Sequence, residues 1–225
     1  MIKYALIMAG GRGIRLMPLT DIVPKAMVPY NGSTLIATGI TKVRKYIPYI
    51  YITVGYKGAM LAKHVIENNV TGIFNTEGKE NAWWIFNTLL KHLNEPVFVL
   101  TCDNVTDLDF ELLSEEYHSF DDPACMVVPV KPVPGLEGDY IFHDKNVVSK
   151  LSRYEPSDIY CSGIQVLNPC RINELINSTD NFYDVWKQLI AIDQLYCSNS
   201  LPSKWFAVDT VEQLNFISKS IAAHE

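Results

Sequence analysis

The sequence predicts an α/β fold: a Rossmann-like mixed, mainly parallel sheet flanked by helices, with a small inserted lobe. Three observations carry that prediction. Ile2 to Ala9 is short, nearly continuous in apolar residues and ends at Gly10-Gly11, the pattern of a buried parallel strand running into a tight loop. Strand-like runs and amphipathic segments then alternate through the first half of the chain, as a sheet covered by helices requires. Between residues 140 and 167, by contrast, short apolar runs follow one another without helices between them, which suits a subsidiary lobe, expected at 131–165, within a single domain of 1–225.

The elements follow in order. Asn31-Gly32 makes a turn, and Leu35, Ile36, Ile40, Val43 and Tyr46 then recur at helical spacing, predicting a helix over 33–47 that Pro48 ends. Tyr49 to Val54 is a second strand, 59–67 a helix, and Val70 to Phe74 a third strand. Asn75 to Asn81 is polar and contains Gly78; the chain then turns helical, with Trp83 and Trp84 suited to packing. Val97 to Leu100, behind Pro96, is a strand that runs into Thr101-Cys102-Asp103. A helix over 110–120 takes its apolar positions from Phe110, Leu112, Leu113 and Tyr117, with Asp107 and Asp109 placed to cap it. Ala124 to Val130 is a valine-rich strand, while Lys131-Pro132-Val133-Pro134-Gly135 holds too much proline for a central one. Tyr140 to Phe142 and Val147 to Leu151 flank Asp144-Lys145-Asn146 as a hairpin, and Ile159 to Leu167 follows. Helices start at Pro169 and near Asn181, Cys197 to Leu201 is irregular, and Trp205 to Val208 is the last strand. Val211, Leu214, Ile217 and Ile221 line one face of a closing helix to about Ala223, capped by Asp209 or Thr210.

Composition narrows the function. At 225 residues, 48% hydrophobic and 20% charged, the chain has enough apolar material for one large core, which argues against disorder. A net charge of −6 without a basic run argues against binding to polymeric nucleic acid; any phosphate recognition rests on a few placed cations and a small ligand. Cys102, Cys125, Cys161, Cys170 and Cys197 lack CxxC spacing, there is no positively charged leader and no apolar run nears eighteen residues. The expectation is a cytoplasmic protein with no membrane span. The five histidines form no zinc pattern, and exposed aromatics leave a homodimer open.

The glycines at 10, 11 and 13 permit positive φ and close approach of backbone N–H groups to a ligand, and Arg12, Arg15 and Lys25 add positive charge to the same stretch. The loop therefore suits a polyphosphate. It is neither a GxxxxGK[ST] loop nor a dinucleotide GxGxxG motif. Asp103 and Asp209 each follow a predicted strand, where a parallel sheet would bring them to one edge beside this loop, and a phosphate-bound Mg²⁺ needs such hard oxygen ligands.

Gly10-Gly11-x-Gly13-x-Arg15-Leu16-x-Pro18-Leu19-Thr20, continued by Pro24-Lys25 and Pro29, closely resembles the opening motif of the sugar-1-phosphate nucleotidyltransferases, the nucleotide-sugar pyrophosphorylases. Trp205 to Leu214 resembles their late motif. The resemblance implies a Mg²⁺-dependent transfer of an NMP unit from an NTP to a sugar 1-phosphate with release of pyrophosphate. It implies catalytic roles for Arg15, Lys25 and Asp103, metal binding by Asp103 and Asp209, nucleotide contacts from Ala9, Gly10, Gly11, Gly13, Glu77, Asn81 and Ala82, and acceptor contacts from Arg153 and Gly163 within an acceptor lobe. Two stretches depart from the family. Asn81-Ala82 followed by two tryptophans is closer to the phosphocholine cytidylyltransferases, and Ser152-Arg153-Tyr154 stands where a Glu-Lys-Pro motif is usual. The alternatives are thus a cytidylyltransferase for phosphocholine or another phosphorylated small alcohol, and an inactive nucleotide-binding regulatory protein.

Overall fold

The computed structural model describes residues 1–133 and 138–222, with side chains through Ser218. Pro134 and Gly135 of the proline-rich segment, and the predicted helix end at Ala223, lie outside the described residues. The strands are β1 (Tyr4–Ala9), β2 (Pro29–Tyr30), β3 (Ser33–Thr34), β4 (Tyr49–Val54), β5 (Gly72–Asn75), β6 (Val97–Thr101), β7 (Asn104–Asp107), β8 (Cys125–Val130), β9 (Tyr140–Asp144), β10 (Val147–Ser152), β11 (Tyr160–Leu167), β12 (Leu195–Cys197) and β13 (Lys204–Ala207). The α-helices are α1 (Leu19–Ile22), α2 (Leu35–Arg44), α3 (Gly58–Ile66), α4 (Trp83–Asn87), α5 (Phe110–Ser119), α6 (Pro169–Leu175), α7 (Phe182–Ile190) and α8 (Val211–Ala222).

Among the described residues nine strands form one mixed sheet in the order β5-β4-β1-β6-β11-β8-β12-β10-β9. β5, β4, β1 and β6 run parallel, with β1 in register from Tyr4 opposite Tyr49 to Ala9 opposite Val54. Strand β11 reverses direction beside β6. The β9–β10 hairpin closes the far end of this sheet and also touches β11 through Tyr140 and Tyr160.

Alternation along β1 divides the core between two faces. Ala5, Ile7 and Ala9 pack with Ile36, Ile40, Leu61 and Phe110 of α2, α3 and α5. Leu6 turns the other way, with Tyr4 and Met8, toward Trp84, Ile172, Val185 and Leu189 of α4, α6 and α7. A strand buried on both faces has no polar side to show, which explains its unbroken apolar run. Each such Leu or Ile contributes about 1.5–3 kcal/mol on burial.

Side-chain caps start most of the longer helices. Thr34, Asp109, Asn168 and Asn181 accept N–H bonds at the starts of α2, α5, α6 and α7. Asp107 departs from its expected cap role: it ends β7 and pairs with Lys42 Nζ at 2.7 Å. The helix from Trp83 is shorter than its periodicity suggests, because Thr88 is extended and caps a separate 3-10 turn over Leu89–His92. Residues 195–197, in part expected to be irregular, pair with β8. Among the described residues no helix is long and apolar enough to cross a membrane.

Candidate active site

The glycine-rich loop leaves β1 at the carboxyl edge of the parallel strands, where an open α/β sheet leaves a crevice for ligands. Gly13 has φ 66° and ψ 48°, and its carbonyl accepts from Leu16 N at 2.9 Å and Thr20 Oγ1 at 3.0 Å. A Cβ on Gly13 would stand 2.7 Å from Lys25 Cβ, so the missing side chain is what seats Lys25. Gly13→Ala combines left-handed strain of about 1–2 kcal/mol with displacement of Lys25. The expected result is a lower denaturation midpoint, measured by urea unfolding, together with reduced activity.

Lys25 is the centre of the site. Its Nζ donates to Asp103 Oδ2 and, at 2.7 Å, to Asp209 Oδ1. Arg15 reaches the other oxygen of Asp209 at 3.2 Å. Burial works to lower the Lys25 pKa, but the Asp103 and Asp209 carboxylates outweigh it and hold the ammonium above its ordinary 10.5. A lysine raised in the folded state contributes stability in full below its unfolded pKa and loses it as pH rises through the folded value. Stability is therefore expected to fall in the alkaline range above about 10.5, less so in Lys25→Met, by thermal unfolding across pH. The neighbouring Cys102 thiol is pushed up to about 12, by burial first and Asp103 second, so it is neutral at pH 7 and no nucleophile.

The two aspartates meet by a route the sequence did not indicate. β13 does not join the main sheet; it pairs antiparallel with β7, Ala207 opposite Asn104, and Val208 N donates to Asp103 O at 3.0 Å. This short ribbon places Asp103, just before one strand, beside Asp209, just after the other. Thr210 takes the cap role: its Oγ1 accepts from Gln213 N at 3.2 Å, while Gln213 Oε1 accepts from Asp209 N at 2.7 Å and Thr210 N at 3.0 Å. The Asp209 carboxylate is thereby free to face Lys25. Thr210-Val211-Glu212-Gln213 has the T-x-x-Q spacing of a capping box, a legible signal that identifies Gln213 as a support of the site.

Two carboxylates already bracketing a cation are a fitting donor pair for Mg²⁺. Among the described residues no group of three or more His, Cys, Asp or Glu is placed to hold a metal, so the remaining oxygens would come from phosphates and water.

Cavities open on both sides of Asp103. One, of about 290 Å³, is lined by Gly10, Gly11, Lys25, Asn81, Trp84 and Asp103, among others. The other, of about 740 Å³, is lined by Arg15, Asp103, Arg153, Gly163 and Asp209 together with Asp139 and several aromatic residues. A third, about 310 Å³ and mainly apolar, lies against α2 and carries none of the loop cations.

The expected nucleotide residues divide among these places. Gly10, Gly11 and Asn81 line the smaller cavity, Asn81 also accepting from Phe182 N at 2.9 Å. Ala9 is buried at the end of β1, and Gly13 lies against Lys25. Ala82 is buried, its N–H bonded to Asp180 O at 2.8 Å, and exposed Glu77 has its N–H bonded to Asn75 Oδ1 at 3.0 Å; neither lines that cavity. On the opposite side Arg153 Nε bonds Asp139 Oδ1 at 3.1 Å, and Gly163 has φ 80°. Sequence reading passed over Asp139, Tyr140, Tyr160 and Trp205. The three rings meet edge to face in that cavity's wall, Tyr160 with Tyr140 at 6.1 Å and with Trp205 at 5.9 Å. Tyr140, Tyr160 and Trp205 come from three separate strands, and only their tertiary approach makes them one wall.

Fold and site together define an α/β protein whose cationic glycine-rich loop faces paired carboxylates between two cavities. The chain belongs to the Nucleotidyl transferase family, which its residues 4–138 match. It is 26% identical over 232 residues to a mannose-1-phosphate guanyltransferase of Debaryomyces hansenii, covering 96% of this chain and 63% of that relative, so it spans less than two thirds of the relative's length. Its fold is similar to that of the inositol-1-phosphate CTP transferase from T. maritima, with TM-score 0.77 and 18% identity over 98% of this chain and 95% of the other. It is also similar to the CTP:phosphocholine cytidylyltransferase from Streptococcus pneumoniae, with TM-score 0.75 and 19% identity over 98% and 100% of the two chains.

Proposed function

We propose that the chain is a Mg²⁺-dependent nucleotidyltransferase that joins the NMP unit of an NTP to a sugar 1-phosphate and releases pyrophosphate. The observation that supports this most directly is the bridge from Lys25 to Asp103 and Asp209 at the junction of two cavities. In this reading residues 1–225 form one nucleotidyltransferase domain, with 131–165 its acceptor lobe.

The NTP phosphates lie along Gly10, Gly11 and Gly13, where Arg15 and Lys25 offset their charge. The acceptor lies in the larger cavity, its phosphate within reach of Arg153 and of the backbone at Gly163. An acceptor phosphate oxygen attacks the α-phosphorus in line; a new P–O bond forms as the bond to the β-phosphate oxygen breaks, and pyrophosphate carries away the electron pair. Asp103 and Asp209 would hold a Mg²⁺, which would supply charge neutralisation at the phosphates. An acceptor phosphate is already ionised near pH 7, so the reaction needs no general base, and positioning with charge stabilisation suffices. The five cysteines, all free, suit a reducing compartment such as the cytoplasm.

A second reading has its own support. Tyr140 and Trp205, half-buried in the wall of the larger cavity, provide aromatic surface, and Asp139, paired with Arg153, a carboxylate, which suit the quaternary ammonium of phosphocholine as well as a sugar face. The retained Arg15, Lys25, Asp103 and Asp209 argue against an inactive regulatory protein. Pyrophosphate release is the deciding measurement, with each NTP, Mg²⁺ and a panel of sugar and alcohol phosphates. Turnover with a sugar 1-phosphate supports the first reading, turnover with phosphocholine alone the second, and nucleotide binding without turnover the regulatory one.

A further inference from the structure

Strand β11 is interrupted where it passes the ribbon that carries the two aspartates. Cys161 lies opposite Pro129 and Ile164 opposite Val128, so Ser162 and Gly163 are extra residues in the pairing with β8, and the pairing with β6 reaches no further than Gln165. Gly163 has φ 80°, a value that L side chains rarely adopt. Ser162 closes the bulge on itself, its Oγ donating to Val128 O at 2.6 Å and accepting from Ile164 N at 3.0 Å. Such a bulge disrupts the ladder locally and leaves the Ser162 carbonyl to side chains.

Both side chains that reach this carbonyl come from the ribbon. Asn104 Nδ2 of β7 donates to it at 3.0 Å and Trp205 Nε1 of β13 at 3.1 Å, so the two lone pairs of one oxygen take one bond from each strand. Asn104 directly follows Asp103, and Trp205 shortly precedes Asp209. Since β7 and β13 pair with each other and not with the main sheet, their placement against it rests on bonds of this kind and on packing. Lys42 Nζ, on Asp107 Oδ1 at 2.7 Å and Thr106 O at 3.1 Å, holds the end of the ribbon away from the aspartates.

We infer that Asn104 and Trp205 are positioning residues: by clamping both strands of the ribbon to the Ser162 carbonyl they fix how the Asp103 and Asp209 carboxylates stand to one another. The inference rests on the nucleotidyltransferase reading and adds to it two residues that act through the aspartates. It also gives Gly163 a task of its own, because the bulge needs its positive φ and a Cβ there would stand 3.4 Å from Asn104 Nδ2. The β7–β13 ladder joins the two strands, so either bond alone retains much of the placement and loss of both releases it.

The test compares the full chain with Asn104→Ala, Trp205→Phe and the double variant; phenylalanine keeps a ring and removes the donor. Pyrophosphate release is measured at saturating NTP and acceptor while Mg²⁺ is titrated, and amide exchange is followed by NMR. Each single variant is expected to lose about threefold in kcat and the double variant about thirtyfold, more than the product of the two, with a raised Mg²⁺ requirement and an unchanged KM for the NTP. The Val208 amide donates to Asp103 O at 3.0 Å. It should exchange about tenfold faster in the double variant while the amides of β1 keep their protection. A double variant no worse than the product of the singles, or a loss confined to KM for the acceptor, overturns the inference, the latter marking the two residues as cavity wall alone. Unchanged exchange at Val208, or acceleration shared equally by β1, overturns it as well. If the double variant does not fold, the singles are read by the same exchange, and no acceleration at Val208 in either overturns the clamp. Absence of turnover by the wild type with every NTP and acceptor removes the functional reading and leaves the clamp to be judged by exchange, whereas normal turnover with unchanged exchange removes the clamp alone.

Discussion

Lys25→Met is expected to lower kcat by about 10²–10³-fold, the scale seen when a preorganised charge-stabilising donor is removed from a transition state. Lys25 combines near-complete burial of its side chain with ion pairs to both aspartates, so its position is held by structure before any ligand arrives. Methionine retains most of the side-chain volume and leaves Asp103 and Asp209 facing each other without the cation. Two effects follow. The folded state loses about 2 kcal/mol, since the two partly buried carboxylates keep only Arg15 as a cation, read as a lower urea midpoint near neutral pH. The vacated cation position also makes the pair a better site for a divalent ion, so Mn²⁺ binding to the nucleotide-free protein, followed by electron paramagnetic resonance, should tighten relative to wild type. Wild-type turnover in Lys25→Met would refute its assignment to the phosphates.

Asp103→Asn and Asp209→Asn are expected to reduce turnover at saturating Mg²⁺ by a similar factor of about 10²–10³ each. Asparagine keeps the shape of each side chain and removes the negative charge that a hard divalent cation requires. The substitutions should differ in how they affect the rest of the site. Asp209 also engages Arg15, so its substitution releases a guanidinium that is already largely exposed, whereas Asp103 lines both cavities and its substitution touches the two together. The apparent Mg²⁺ requirement should rise in both variants, measured by titrating Mg²⁺ in the pyrophosphate assay. Unchanged turnover in both at saturating Mg²⁺ would remove the metal role.

The parallel core was legible because its strands are buried on both faces and its helices carry a 3.6-residue stripe. Ile2 to Ala9 and the Leu35-to-Tyr46 pattern state this in neighbouring residues alone. The start of α4 was legible, but its end was not: Thr88 adopts an extended backbone and bonds Trp84 O, which a propensity pattern does not register. The cap of α8 was legible as Asp209 or Thr210. The choice between them depended on Gln213 completing a capping box, and that choice is what leaves Asp209 free.

By itself, the sequence determined the fold class, the glycine-rich loop with its cations, and the family resemblance, because strand periodicity, turn glycines and short motifs are properties of adjacent residues. Tertiary structure alone decided that Lys25 would sit between Asp103 and Asp209, that β7 and β13 would form a separate ribbon to bring them together, and that the Ser162 carbonyl would meet a donor from each strand of it. Each of these depends on which distant segments come to lie side by side. That is settled by packing and hydrogen-bond pairing across the whole chain, which local sequence pattern does not encode.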